Sequence, residues 1–132
     1  MDVTKRVLDI AIEKSAPAVR WSQVAAEMQQ YAESAGFSVV KDFVGHGIGK
    51  KMHEEPRVPN FVSDELLAND IVLAEGMVLA VEPMINSGTS AVKTLKNGWT
   101  VVTRDGKSSA HFEHTIVISG NGCEILTVKG NQ

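Results

Sequence analysis

The amino-acid sequence predicts an α+β fold in which two helices are followed by a mainly antiparallel sheet. Apolar residues recur at helical spacing in the first quarter of the chain and then form short apolar runs. Turn dipeptides such as Asn97-Gly98 and Asp105-Gly106 separate the later runs. A chain of 132 residues can bury about two thirds of its unfolded surface. We therefore predict a single domain over residues 1–132.

The two helices are predicted from apolar stripes. The first stripe consists of Val3, Val7, Ile10 and Ala11. Asp2 precedes it as a plausible N-cap, and Pro17 closes the segment. The second helix is predicted from Trp21 to Ala35, with a stripe made of Val24, Met28, Tyr31 and Ala35. Gly36 follows as its C′ residue.

Strands are predicted where the hydrophobic period changes. The predicted strand segments are Phe37–Phe43, Met77–Ile85, Trp99–Thr103, Ser108–Ser119 and Cys123–Val128. A polar stretch with two prolines lies between the first two of these segments and is predicted to be irregular.

Charge and composition exclude several classes of function. The net charge is −3 and the pI is about 5.8, and the paired basic residues are too few to form a phosphate-binding face, so we expect no nucleic-acid partner. No apolar run reaches the length of a membrane span, and the N-terminus has no signal-peptide pattern. The single Cys123 excludes an internal disulfide framework. These features predict a soluble, cytoplasmic protein without a membrane partner.

Two histidines lie close together in the glycine-rich segment Val44–Pro56. The glycines beside His46 permit a positive φ or the close approach of another group to the backbone. A flexible turn with a solvated histidine is the plain alternative. A phosphate-binding loop is excluded by the glycine spacing and by Lys51, which stands where serine or threonine would bind magnesium.

Two carboxylates lie inside apolar strand segments, where an unpaired charge costs several kcal/mol. Glu82 follows Val81, and Glu113 precedes the apolar end of the Ser108–Ser119 segment. One alternative places Glu82 on a solvent-exposed edge strand, as Pro83 beside it would allow. Together with His46, however, the two glutamates form a donor set suited to a divalent metal with open water positions.

Two further residues favour structural roles when they are considered alone. Trp99 follows a turn dipeptide and is more typical of a hairpin core than of a substrate pocket. Cys123 has no neighbour that would depress its pKa, so a buried and unreactive thiol is expected.

Four short motifs occur in an order that resembles type I methionine aminopeptidases. They are Gly45–Gly49 with Met52–Pro56, then Val81–Met84, then Asn97–Thr100, then Phe112–Thr115. The resemblance covers almost the whole chain, including the two helices. It implies a pita-bread fold, in which two related α+β halves surround a metal site, and it implies removal of the N-terminal methionine from nascent proteins.

The resemblance also implies a role for each matching residue. His46 and Glu82 would ligate one ion, and Glu113 would bridge two ions. Glu82 would also take the proton of the attacking water, and His53 would stabilise the scissile carbonyl. The methionine side-chain pocket would be lined by Trp99, together with Met52, which stands where an aromatic residue is common in the family.

The chain resembles only the second half of that family, and the first half carries two aspartate ligands and a substrate-contacting histidine. We therefore expect at most one divalent ion (cobalt, manganese, iron or zinc) per chain. A peptide N-terminus is the expected substrate, and a homodimer or a complementary N-terminal half is the expected partner. His111 stands where glutamine is common, which suggests a hydrogen-bond partner or a replacement ligand. The alternative functions are a non-catalytic binding module and a related Xaa-Pro or creatinase-type hydrolase.

Overall fold

The computed structural model describes residues 2–41, 44–49, 54–96 and 101–127. The helices in these ranges are α1 (Asp2–Lys14), α2 (Trp21–Ser34) and α3 (Asp64–Ala68). The strands are β1 (Ser38–Val39), β2 (Gly45–Gly47), β3 (Glu54–Val58), β4 (Val78–Val81), β5 (Met84–Asn86), β6 (Val92–Thr94), β7 (Val101–Thr103), β8 (Ser109–His111), β9 (His114–Ser119) and β10 (Gly122–Ile125).

The predicted helices α1 and α2 are confirmed, with one change in the buried face of α2. That face consists of Trp21, Val24, Ala25, Met28 and Ala32. Tyr31 and Ala35, which were expected on it, are exposed. The buried stripe follows i+3 and i+4 steps from Trp21, and Tyr31 lies at its margin. Ala35 is the C-cap and lies beyond the last helical residue. Gly36 has φ +85° and follows the C-cap, as predicted.

Ten strands form three antiparallel sheets in the described ranges. The largest has the order β10-β9-β4-β2-β3, a second has the order β1-β5-β8, and β6 and β7 form a hairpin. Each strand pair is antiparallel. The predicted α+β class with a mainly antiparallel sheet is therefore confirmed.

Both long helices share a hydrophobic core with one face of the five-stranded sheet. Side chains alternate between the two faces of a strand, and Leu79 and Val81 of β4 lie in the core formed with the helices, as do Ile116 and Ile118 of β9. The residues between them therefore point to the opposite face. His46 of β2 pairs with Ala80, which belongs to that opposite set. The histidine thus lies on the sheet face away from the helices.

Two segments predicted as continuous strands are each divided between two sheets. Met77–Ile85 contains β4 and β5, which are separated by Glu82 and Pro83. Proline has no N–H to donate to the ladder, so a break at this position has a physical cause. Ser108–Ser119 is likewise divided into β8 and β9, which are separated by Phe112 and Glu113. Both candidate carboxylates therefore lie at strand breaks rather than within strands.

The remaining differences concern short elements. The first predicted strand is reduced to β1, and its residues 42–43 lie outside the described ranges. The polar stretch expected to be irregular contains β3 and α3. The Ser63 hydroxyl caps α3 by accepting a hydrogen bond from the Leu66 amide at 3.1 Å. The strand β6 (Val92–Thr94), which was not predicted from the sequence, pairs with β7.

No helix in the described part of the chain is long and apolar enough to cross a membrane.

Candidate metal centre

The strand β2 places His46 at the centre of the site. The strand β2 is hydrogen-bonded to β3 on one side and to β4 on the other. His46 lies opposite Arg57 on β3 and Ala80 on β4. A Cβ atom on Gly45 would lie 2.2 Å from the Ala80 carbonyl oxygen and 2.7 Å from Cγ2 of Val58. Only glycine fits between these neighbours, so the glycine provides close packing rather than a positive φ. The alternative of a flexible, solvated turn is wrong, because the His46 side chain is only 15% exposed.

The register of β4 and β9 brings the two glutamates to the same level of the sheet. Val81 pairs with His114 in antiparallel strands. Glu82, the residue after Val81, and Glu113, the residue before His114, therefore lie at the same next level. Since β4 lies between β9 and β2, the edge-strand explanation for Glu82 is wrong. Its side chain is 22% exposed, whereas Glu113 is exposed.

Three ligand atoms converge at this place. One atom each from His46, Glu82 and Glu113 lie within 4.8 Å of one another. His46 Nε2 is 2.8 Å from Glu82 Oε2, and the other ring nitrogen, Nδ1, is 3.0 Å from the Gly47 carbonyl oxygen. The three candidate ligands that the sequence indicated are therefore neighbours in space.

The tautomer of His46 tests whether a cation fits here. A carbonyl oxygen only accepts, so the contact with Gly47 requires the His46 proton on Nδ1. In the neutral ring the Nε2 lone pair then faces a carboxylate oxygen of Glu82 at 2.8 Å. Two facing acceptors repel each other unless a cation lies close to both, and either a proton on Nε2 or a metal ion meets that need. One imidazole and two carboxylates also form a donor set that binds borderline and hard divalent metals. The residues present fit such an ion.

A second imidazole lies on the other side of Glu82. His111 Nε2 is 3.7 Å from Glu82 Oε1, and the His111 side chain is 44% exposed. His111 belongs to β8, where it pairs with Met84. The sequence placed His111 and Glu113 on one strand, but Glu113 follows β8 and lies in the break before β9.

Asn60 also contacts the site and was missed by the sequence analysis. Its amide Nδ2 donates to the main-chain carbonyl of Glu82 at 3.3 Å, and the residue is fully buried. Among the described residues, its Oδ1 has no hydrogen-bond partner. The position lies in a stretch without hydrophobic period, so only the tertiary structure identifies it.

Three of the predicted site residues have roles toward the substrate. Met52, His53 and Trp99 lie outside the described residues, so their predicted roles remain predictions. Cys123 was expected to be buried but is half-buried, with its thiol 3.3 Å from the Ile12 carbonyl. Burial raises the pKa of the Cys123 thiol, which opposes formation of a reactive thiolate.

Comparison with known proteins identifies one family. The sequence profile of metallopeptidase family M24 matches residues 1–120. The methionine aminopeptidase of Clostridium perfringens is 53% identical over 126 residues, which are 96% of this chain and 49% of that protein. The methionine aminopeptidase of Escherichia coli K12 is 43% identical over 127 residues, which are 96% of this chain and 47% of that protein.

Solved structures give the same result. The methionine aminopeptidase of Thermotoga maritima has a TM-score of 0.90 and 45% identity, covering 97% of this chain and 50% of that one. The prolidase of Pyrococcus horikoshii has a TM-score of 0.69 at 23% identity, covering 96% of this chain and 30% of that one, and shows a likeness of fold alone. The chain spans about half the length of the curated relatives it matches.

Proposed function

The chain belongs to metallopeptidase family M24, and on that basis we propose that it forms part of a metal-dependent aminopeptidase that removes N-terminal methionine from proteins. The convergence of His46, Glu82 and Glu113 within 4.8 Å carries the proposal. The substrate is the N-terminus of a peptide, and the place of action is the cytoplasm.

The proposed cofactor is one divalent ion per chain, namely cobalt, manganese, iron or zinc. Three protein donors are enough to hold one ion while leaving positions open for water and substrate. A second ion needs further carboxylates, and the resemblance to methionine aminopeptidases assigns two aspartates to the other half of that fold. An ion held by three donors alone binds more weakly than one in a complete dinuclear site.

Each candidate residue has a proposed task in hydrolysis. A bound divalent ion would polarise the scissile carbonyl and acidify the attacking water. Glu82 takes a proton from that water and returns it to the leaving amine. His53 donates a hydrogen bond to the carbonyl oxygen as negative charge develops on it. Trp99 and Met52 form the apolar wall of the methionine pocket.

The level of similarity favours the methionine branch over the Xaa-Pro branch. The relatives at 43% to 53% identity are methionine aminopeptidases, whereas the prolidase likeness rests on 23% identity. The retained histidine and both glutamates favour a hydrolase over a binding module, because a module without turnover has no need of three converging metal ligands.

The proposed partner is a second copy of the chain or a complementary half. In the described ranges, β3 and β10 are the edges of the five-stranded sheet, and an open strand edge tends to pair with another chain. A twofold arrangement of two copies would place one chain where the family has its other half. Light scattering coupled to size exclusion would give about 28 kDa for the dimer of this 14.2 kDa chain. A persistent 14.2 kDa species at high concentration would rule the dimer out.

Metal titration tests the proposed function directly. Calorimetry with Mn²⁺ or Co²⁺ should give a single weak binding event that Glu113→Ala abolishes. Glu124→Ala is the matched control, because Glu124 is an exposed carboxylate on β10 and should leave the titration unchanged. Two tightly bound ions per chain, or binding that Glu113→Ala does not affect, would contradict the proposal.

Release of methionine from a Met-Ala-Ser peptide tests the reaction. Without the aspartates that position the nucleophile and the substrate amine, turnover by this chain alone should fall by orders of magnitude relative to a complete enzyme. Addition of the complementary half should raise it, and Glu82→Ala should abolish the gain. Full activity of the chain alone would show that the other half is dispensable.

A further inference from the structure

The two carboxylate oxygens of Glu82 face different imidazoles. Oε2 lies 2.8 Å from Nε2 of His46, which is one of the three candidate ligands. Oε1 lies 3.7 Å from His111 Nε2. One oxygen of Glu82 therefore faces the candidate ligand His46, and the other faces His111.

We propose that His111 is a positioning residue that holds Oε1 of Glu82, so that Oε2 remains directed at the metal site. This inference rests on the proposed function and extends it to a residue outside the three candidate ligands. In the tautomer with its proton on Nε2, His111 donates to a carboxylate oxygen that only accepts. The 3.7 Å separation exceeds hydrogen-bond length, so the proposed contact requires a small rotation of the imidazole, which is 44% exposed.

The backbone keeps His111 beside Glu82. His111 pairs with Met84 across β8 and β5, and Met84 is two residues beyond Glu82 in the chain. A further hydrogen bond, from the Phe112 amide to the Pro83 carbonyl at 3.3 Å, ties the two strand breaks together. The backbone positions of His111 and Glu82 are therefore set by paired strands rather than by a loop, and the side chains cover the remaining distance.

A ligand carboxylate needs such a partner for a physical reason. A glutamate that offers one oxygen to an ion can rotate about its last torsion and present the other oxygen instead. A donor on the second oxygen removes this freedom before the ion binds, and loss of comparable partners lowers metal affinity about 10- to 100-fold. We expect a loss of about tenfold here, because His111 is partly exposed and water replaces some of its hydrogen bonding.

Three variants separate positioning from other roles in Co²⁺ and Mn²⁺ calorimetry. His111→Ala should weaken binding about tenfold. His111→Gln should restore most of the affinity, because its amide also donates. His114→Ala is the control, since His114 contacts the Thr127 hydroxyl at 2.9 Å and should leave affinity unchanged. If His111→Ala matches His114→Ala while Glu113→Ala abolishes binding, the positioning role is wrong and the metal site stands.

The spectrum of the Co²⁺-loaded chain distinguishes a positioning residue from a ligand. An imidazole bound to paramagnetic Co²⁺ gives a strongly shifted, exchangeable N–H signal in the proton NMR spectrum. The number of such signals should be the same in the wild type and in His111→Ala, because His111 does not bind the ion. Loss of one signal in His111→Ala would make His111 a ligand and overturn the proposal. Absence of metal binding by the wild-type chain would overturn the proposed function and this inference together.

Discussion

Replacement of Gly45 by alanine should disturb both the sheet and the metal site. The added Cβ would lie 2.2 Å from the Ala80 carbonyl oxygen on β4 and 2.7 Å from Val58 Cγ2 on β3. The Ala80 carbonyl belongs to the backbone of a strand hydrogen-bonded to β2, so it cannot move without changing the ladder. Real Cβ atoms essentially never approach closer than 3.0 Å, so the strands must separate by at least about 0.8 Å.

The size of the effect follows from that displacement. Overpacking of a filled interior costs about 1–3 kcal/mol, and each weakened ladder hydrogen bond adds about 0.5–1.5 kcal/mol. We therefore expect Gly45→Ala to lower the free energy of unfolding by about 2–4 kcal/mol. Because β2 carries His46 and β4 leads into Glu82, the same shift exceeds the ligand tolerance of about 0.2 Å. Metal affinity should fall at least about tenfold.

Urea unfolding followed by circular dichroism measures the first effect, and calorimetry with Mn²⁺ measures the second. Gly122→Ala is the matched control, because a Cβ there would meet only the Ser15 carbonyl oxygen at 3.9 Å. Its free energy of unfolding should change by no more than about 0.5 kcal/mol. If Gly45→Ala proves as stable as Gly122→Ala and binds metal equally well, the close packing of β2 between its neighbours is refuted. If Gly45→Ala fails to fold while Gly122→Ala folds, the close packing of β2 is supported.

Three further predictions concern the fold around the site. Burial acts to raise the pKa of Asp70, but hydrogen bonds from Ser22 and the Ile71 amide outweigh it, so the pKa is lowered. The ionised Asp70 therefore stabilises the fold. This contribution is present above the unfolded pKa of about 3.9 and is lost as pH falls through the folded pKa. Urea unfolding below about pH 4 should show that loss, and Asp70→Asn should flatten it. Trp21→Phe removes the indole N–H that donates to the Pro59 carbonyl at 2.6 Å and should cost about 1–3 kcal/mol in urea unfolding; an unchanged midpoint would contradict this. Iodoacetamide should alkylate Cys123 more slowly in the folded chain than in urea, because burial raises its pKa, and equal rates would disprove the protection.

The sequence allowed the helices and the three candidate ligands to be predicted because each has a local signal. The helical stripe around Val7 and Ile10 is independent of the rest of the chain, and both residues are buried. Glu82 and Glu113 stand out because a carboxylate beside apolar residues needs a partner. His46 stands out because two glycines flank it.

The features that could not be predicted depend on contacts between distant residues. Asn60 donates a hydrogen bond to the Glu82 carbonyl, which is 22 positions away in the sequence. No local sequence pattern predicts that hydrogen bond. The buried side of α2 depends on which neighbours cover it, so the position of Tyr31 was assigned wrongly. The helix α3 has only five residues, which is too short for a hydrophobic period to be recognised.

The strand breaks and the metal site have a common structural origin. Val81 pairs with His114 in the larger sheet, and Met84 pairs with His111 in the smaller one. Between these two levels, each chain segment contains two residues outside the strands, and these include both glutamates. Within a regular strand, a carboxylate is held at a fixed angle to the pleat by ladder bonds on both sides. At a break it is released from that constraint, while the paired residues above and below still fix its position. The passage from one sheet to the other therefore explains why these two carboxylates can converge with His46 without unfolding the sheet that carries it.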